Sequence, residues 1–182
     1  IYNQLEIAGL SSQNIEDINI SKNELTIGKL YLDQDRFSSL SDISAKVSIP
    51  NFSINSLTIG EMNLTGEFSS LDEIKISGLE FDKLLEIDHF PNHIKVESFN
   101  LDLVTPEGGI TLNGQMNLTQ SDKGYYTIIS SLNADQYQLK FQSVWNGKWI
   151  PGQNAIFRVE FSDAHVKFKD LFASRIAGKS IL

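Results

Sequence analysis

The residue types best suited to catalysis or metal binding form a histidine pair, His89 and His93, with Asp88 beside it. Imidazole and carboxylate groups are common ligands of metal ions. Pro91 lies between the two histidines and would break the helix that places an i, i+4 pair on one face. The spacing offers no fourth ligand. We therefore expect polar loop residues beside a strand, and no bound metal.

Aspartates and glycines give weaker signals. Asp33, Asp35 and Asp42 are arranged a little like a calcium loop, but the glycine and the glutamate that such a loop needs are absent at the required spacing. We expect a solvated loop that caps a helix. The pair Gly108-Gly109 precedes a predicted strand rather than a helix, which indicates a turn and not a phosphate site.

The sequence has no Gly-x-Ser-x-Gly elbow and no Ser/His/Asp arrangement that could be nominated as a triad. We therefore expect no catalytic residue, no cofactor and no enzymatic activity. A net charge of -8 opposes binding to nucleic acid. The sequence contains no cysteine, which excludes disulfides and thiolate zinc sites from this chain.

The 182 residues predict one β-sheet unit over residues 1–182. No apolar run reaches the roughly 20 residues of a spanning helix. The sequence begins at Ile1 rather than Met and lacks the pattern of a signal peptide. These features predict a piece excised from a longer protein, with any targeting or anchoring segment outside it.

The elements that would position any site follow a five-residue pattern, h-x-h-x-x, in which h is apolar. Leu-Thr-Ile-Gly-Lys-Leu-Tyr-Leu at 25–32 returns 32 positions later as Leu-Thr-Ile-Gly-Glu-Met-Asn-Leu at 57–64, which is an internal repeat. The apolar positions are Leu25, Ile27, Leu30 and Leu32; Phe52, Ile54, Leu57, Ile59, Met62 and Leu64; Ile74, Ile76, Leu79 and Phe81; and Ile94, Val96, Phe99 and Leu101.

Each h-x-h pair is a piece of strand, but the two-residue spacer moves the next pair to the opposite face. A β-bulge would restore the face, and we predict one at Gly28 and one at Gly60, where a positive φ is cheapest. All the apolar residues of a run would then face one way on a curved sheet. The alternative is a core on both faces, as in a sandwich or a solenoid.

The second half predicts an antiparallel meander. Turns are expected at 105–109 and 121–124, and Asn146-Gly147 predicts a two-residue hairpin turn. His165 falls in a predicted strand, as a surface or half-buried residue. Helix is scarce, and its best candidates are the short segments 35–41 and 81–89.

The runs at 25–33 and 57–66 resemble strands of the bacterial AsmA-like proteins, the group that includes TamB and YdbH. The segments 149–161 and 166–182 are similar to YdbH-type domains in their sequence pattern. The resemblance implies an all-β, elongated, curled antiparallel sheet whose concave side is an apolar groove. It also implies a bacterial periplasmic location, with an inner-membrane anchor outside this chain. The implied partners are phospholipid acyl chains, flanking segments of the same chain and envelope proteins.

Three hypotheses follow. The first is a non-enzymatic segment that carries lipid acyl chains in the groove. The second is a surface-exposed β-solenoid or adhesin-like structural module, which the 32-residue repeat suggests. The third is an enzyme that uses His89, His93 or carboxylates in a cleft. In the first, the residues expected to line the groove are Leu25, Ile27, Leu30, Leu32, Phe52, Ile54, Leu57, Ile59, Met62, Leu64, Ile74, Ile76, Ile94 and Val96.

Overall fold

The computed structural model describes residues 14–48, 53–70, 73–77, 91–105, 108–135, 139–150 and 156–166. They are nearly all β and form one open, curled sheet. The strands are β1 (Ile15–Ile20), β2 (Glu24–Tyr31), β3 (Ser39–Ser48), β4 (Ser53–Ser70), β5 (Glu73–Ile76), β6 (His93–Thr105), β7 (Gly108–Gln120), β8 (Tyr126–Asp135), β9 (Leu139–Trp149) and β10 (Ile156–Val166).

The order of the strands in the sheet follows the chain, β1-β2-β3-β4-β6-β7-β8-β9-β10, with β5 paired to β4 outside this path. The expected all-β, curled sheet is confirmed. The sheet is mixed rather than wholly antiparallel, because β4 and β6 pair in parallel. A parallel neighbour requires a crossover connection, and here the chain passes through β5 before it returns as β6.

Strand β5 lies on the same side of β4 as β3. Gly66 and Glu67 of β4 pair with both β5 and β6, so these two strands must flank β4 on opposite sides. Thr65 of β4 lies just beyond the start of β3, and its amide donates to Ser38 Oγ at 3.1 Å. The Thr65 carbonyl accepts from the Ser77 amide at 2.8 Å. Strand β4 therefore has neighbours along most of both edges.

In the structure the two spacer residues separate apolar residues i and i+3 of one strand, and neighbouring strands have this separation at the same level. We call it the three-residue step. The backbone pairing keeps the same register on both sides of the step in β1–β2, β2–β3, β3–β4 and β4–β6. The step separates Ile15 from Ile18, Ile27 from Leu30, Leu40 from Ile43, Ile59 from Met62, and Val96 from Phe99.

The predicted bulges at Gly28 and Gly60 are wrong, because the register does not shift at either glycine and neither has a positive φ. The left-handed conformation belongs to the aspartates across from them, Asp17 with φ 55° and Asp42 with φ 52°. A short polar side chain makes Asp one of the few residues that adopt this region. The expected common face is nevertheless confirmed, since the apolar residues on both sides of Gly28 belong to one cluster.

The glycines are required by their aspartate neighbours. A Cβ added to Gly28 would lie 2.8 Å from Cβ of Asp17, and one added to Gly60 would lie 2.8 Å from Cβ of Asp42. Cβ atoms do not approach so closely without a shift of the backbone. Each Asp–Gly pair thus forms a matched step within its hairpin.

Bulges interrupt the register of the strands at two places near these elements. Between β6 and β7, the two residues Glu97 and Ser98 lie opposite Gln115 alone, and beyond this point β7 continues with regular alternation. A second bulge places Asn55 as an extra residue of β4 opposite β3. The spacer between Ile54 and Leu57 therefore does contain a bulge, although at a different copy of the pattern from those predicted.

We expect Gly60→Ala to lower the free energy of unfolding by about 1–2 kcal/mol, because the new Cβ forces the two strands apart at Asp42. Asp42→Gly should be tolerated alone, since glycine accepts a positive φ. In the double variant most of the Gly60→Ala cost should disappear, which gives a coupling of about 1 kcal/mol in a urea-unfolding double-mutant cycle. Additive effects of the two substitutions would contradict this account of the step.

Two other predictions from the sequence are wrong. Asn146 and Gly147 form no hairpin turn but lie within β9, where both neighbouring strands pair with them. Residues 35–41 form a turn and the start of β3 instead of a helix. The segment 81–89 lies outside the described residues. The turn at 121–124 is confirmed by the Gly124 amide, which donates to the Ser121 carbonyl at 3.1 Å. The turn predicted at 105–109 is shorter than expected, because Gly108 and Gly109 already belong to β7 and pair with Thr105 and Val104, while residues 106–107 lie outside the described residues.

Candidate functional site

One face of the sheet carries aligned rows of apolar side chains, which we call the apolar face. Directly paired residues of neighbouring strands project to the same side of a sheet. The backbone register therefore shows which side chains align from one strand to the next. The central row runs through Ile18, Ile27, Ile43, Ile59, Val96, Met116, Ser130, Trp145 and Val159.

Two further rows flank the central one. The first, on the other side of the three-residue step, contains Ile15, Leu30, Leu40, Met62, Phe99, Gly114, Leu132 and Ser143. The second contains Ile20, Leu25, Ala45, Leu57, Ile94, Leu118, Ile128 and Gly147. The apolar face is therefore continuous from the first hairpin to the last.

The residues predicted to line a groove differ in their exposure. Five are buried: Ile27, Leu30, Ile59, Leu64 and Val96. Six are partly exposed: Leu25, Leu32, Leu57, Met62, Ile76 and Ile94. Ile54 is 40% exposed. Ile74 lies in β5, opposite Phe68 in the register, and Phe52 lies outside the described residues. The partly exposed side chains are the ones that a ligand on this face could touch.

The second half of the chain contributes apolar residues that the five-residue pattern did not select. Met116, Leu118, Tyr126, Ile128 and Trp149 form or pack against a cluster on the apolar face. Their signal in the sequence is the regular alternation of apolar and polar residues in strands β7 to β9, which predicts a strand but does not by itself indicate a site. A search for residues two apart would have found them.

Aromatic rings lie at one end of the apolar face. The rings of Tyr126 and Trp149 have centroids 5.6 Å apart and a tilted geometry. Burial raises the pKa of the Tyr126 hydroxyl, so the phenol stays neutral well into the alkaline range. This part of the apolar face therefore adds no charge at neutral pH.

The polar atoms on the apolar face have partners within the chain. Trp145 Nε1 donates to Ser143 Oγ, and Ser143 Oγ donates to the Leu132 carbonyl, each at 2.8 Å. Ser130 Oγ donates to the Gln115 carbonyl at 3.0 Å. Among the described residues no buried side-chain N or O atom is left without a hydrogen bond. The buried polar atoms of this face are therefore already satisfied within the chain.

The opposite face is mainly polar, although Val104, Ile129 and Val144 are exposed on it. Four asparagines occupy one row of paired positions across β4, β6, β7 and β8, namely Asn63, Asn100, Asn113 and Asn133. Asn100 Nδ2 donates to Asn63 Oδ1 at 2.8 Å. Exposed ion pairs such as Lys95 with Glu97, at 2.7 Å, complete a hydrated surface. The contrast between the two faces gives the sheet one side suited to apolar ligands.

The residues considered for metal chemistry do not form a site in the described part of the chain. His93 lies at the start of β6, with Nδ1 3.1 Å from Thr119 Oγ1, while His89 is outside the described residues. His165 lies in β10. Asp33 accepts hydrogen bonds from the amides of Phe37 and Ser38, at 2.9 and 2.7 Å, and so stabilises the turn before β3.

No group of three or more His, Cys, Asp or Glu side chains suited to a metal ion occurs among the described residues. In the same residues there is no helix long and apolar enough to cross a membrane. A comparison with known protein families finds no match for this chain, and a comparison with curated proteins finds none either.

Proposed function

We propose that the protein binds lipid acyl chains along its apolar face. The observation that carries the proposal is the continuity of this face: the central row crosses nine strands of one open sheet, and only Ser130 interrupts its apolar character. Five members of this row, Ile27, Ile43, Ile59, Val96 and Val159, are buried, so the area open to a ligand belongs to the partly exposed residues beside them. An exposed apolar patch is typical of a binding surface.

The chemistry of the apolar face suits a chain of methylene groups. An acyl chain gains about 0.8 kcal/mol for each CH₂ that leaves water, and it needs no hydrogen-bond partner. The partly exposed Leu25, Leu57, Met62 and Ile94 offer such contacts, while Ile59 and Val96 are buried and pack beneath them. Since the described polar atoms of this face are already paired, the face would select for length and apolarity.

The resemblance to AsmA-like proteins adds the wider part of the proposal. It supports an envelope location and the transfer of phospholipid acyl chains, with flanking segments of a longer chain and other envelope proteins as partners. In that setting the segment acts by binding alone and performs no catalysis.

The proposal is tested by lipid extraction and by a fluorescent fatty acid, cis-parinaric acid. We expect purified protein to yield co-purified lipid by mass spectrometry and to bind the probe saturably. The double variant Leu57→Gln with Met62→Gln should weaken probe binding by about tenfold, because two apolar contacts are lost. Absence of both bound lipid and probe binding in the unmodified protein would overturn the proposal.

Thr58→Gln provides the matched control. Thr58 lies next to Leu57 in β4 but faces the polar side, where it pairs with Ser44 and Lys95. This substitution adds the same amide without touching the apolar face. Equal loss of binding in the Thr58 variant and in the Leu57/Met62 double variant would show that the probe does not discriminate between the faces.

A structural repeat module is the second candidate. Hairpin β1–β2 and hairpin β3–β4 share one arrangement of apolar residues and one Asp–Gly step, which is the behaviour of a repeat. A solenoid of stacked coils would pair its strands in parallel, whereas the described strands pair mainly antiparallel. This argues against the solenoid form of the structural module. If the module is only structural, the Leu57 and Met62 variants should alter stability while the probe never binds.

A further inference from the structure

The first strand of the sheet, β1, has an edge that faces away from its hairpin partner. Within the described part of the chain, β2 is the only strand that pairs with it. A strand edge carries backbone donors and acceptors and can accept a further strand. The chain itself contains a copy of β1 that shows what such a neighbour must look like.

That copy is β3. Ile15-Glu-Asp-Ile18 of β1 corresponds to Leu40-Ser-Asp-Ile43 of β3, 25 residues later. In both strands the aspartate has a positive φ and lies against the glycine of its hairpin partner, at the same 2.8 Å distance between Cβ positions. The two strands therefore have the same shape at the step.

Strand β3 is paired on both sides, whereas the strands that the structure describes pair with β1 on one side only. On the side of β3 that corresponds to the outer edge of β1 lies β2, whose Ile27 and Lys29 pair with Ile43 and Ser41. Gly28 then stands opposite Asp42. The left-handed aspartate thus leaves the strand able to pair on this side, provided that the neighbour has the same three-residue step.

We propose that the outer edge of β1 binds an antiparallel strand of the β2 type, with the pattern h-x-h-Gly-Lys-h, supplied by another polypeptide segment. The glycine of the incoming strand takes the position opposite Asp17, and its lysine pairs with Glu16, as Lys29 does on the inner edge. The outer edge of β1 is therefore specific for a strand that contains the three-residue step.

Charge disfavours the pairing of two β1 strands with each other. An antiparallel pair with matched steps would place Ile15 opposite Ile18 of the second copy, and Glu16 opposite its Asp17. Carboxylates directly opposite each other destabilise a strand pair. The lysine of a β2-type strand gives the complementary charge.

The test uses a labelled peptide with the sequence of residues 24–32, Glu-Leu-Thr-Ile-Gly-Lys-Leu-Tyr-Leu, and a control peptide that lacks only the glycine. The control alternates regularly and can pair only through a bulge. We expect saturable binding of the first peptide by fluorescence anisotropy, with slower amide exchange in β1, and binding of the control about tenfold weaker.

A charge exchange locates the peptide. Glu16→Lys changes a half-exposed side chain and should weaken binding several-fold, while a peptide with lysine replaced by glutamate should restore it. Circular dichroism of the variant verifies that the fold is retained. Equal binding of the two peptides, no binding of either, or protection outside β1 would overturn the proposal. Because the readout is strand pairing, it is independent of lipid binding.

Discussion

Gly114→Ala is expected to lower the free energy of unfolding by at least about 3 kcal/mol, as an overpacked site that cannot relax. A Cβ at this position in β7 would overlap the backbone carbonyl oxygen of Ser131 and lie 2.6 Å from Cε1 of Phe99. The carbonyl belongs to β8, which pairs with β7 at this level, so it cannot move without loss of backbone hydrogen bonds. Urea unfolding followed by tryptophan fluorescence measures the effect.

Gly109→Ala is the matched control for that experiment. Gly109 also lies in β7, but a Cβ there meets no atom within 4 Å, and its φ is not positive. We expect a change within about 0.5 kcal/mol. Phe99→Leu should rescue Gly114→Ala only slightly, because the Ser131 carbonyl remains in place. Equal stability of the Gly114 and Gly109 variants would contradict the close approach of β7 and β8.

Ile59→Ala is expected to cost about 3 kcal/mol, within the usual range for a large-to-small core substitution. Ile59 is 4% exposed and stands between Ile43 and Val96 in the central row. Truncation leaves a gap between two neighbours that the backbone register fixes. The same urea titration, analysed for the midpoint at constant slope, reports the loss.

Ile129→Ala is the control for this second substitution. Ile129 lies on the opposite face, in β8, and is 52% exposed. The same group of atoms is removed from a side chain that remains largely in water, so the cost should stay below about 1 kcal/mol. A similar loss in both variants would mean that the two faces do not differ in packing.

The five-residue pattern was sufficient to predict β2, β4, β5 and β6 as strands and to predict the common face of the apolar residues in β2, but it did not select β1 or β3. Leu25, Ile27, Leu30 and Leu32 do belong to one cluster. The position of the distortion was not predictable from Gly28 alone, because the strain falls on Asp17 in the paired strand. A residue's φ depends here on which residue lies across from it, and the sequence does not display that pairing.

Long-range pairing also explains the other differences. Asn146-Gly147 has the local chemistry of a turn, but β8 and β10 both pair with this segment and keep it extended. The parallel contact of β4 with β6 joins residues 37 positions apart and has no local signature. The apolar cluster of the second half was not predictable as part of the site for a simpler reason. Regular alternation of apolar and polar residues predicts a strand but does not say which surface its apolar side joins.

The aligned step has a consequence for how this chain can change in length. In β1, β2, β3, β4 and β6 the step lies at one level, so deletion of a single spacer residue from one strand would place its apolar residues out of phase with each neighbouring strand that shares the step. Addition of a whole hairpin keeps every phase relation. Growth by duplication is therefore permitted where single-residue insertion is not, and the bulge between β6 and β7 marks where that constraint ends.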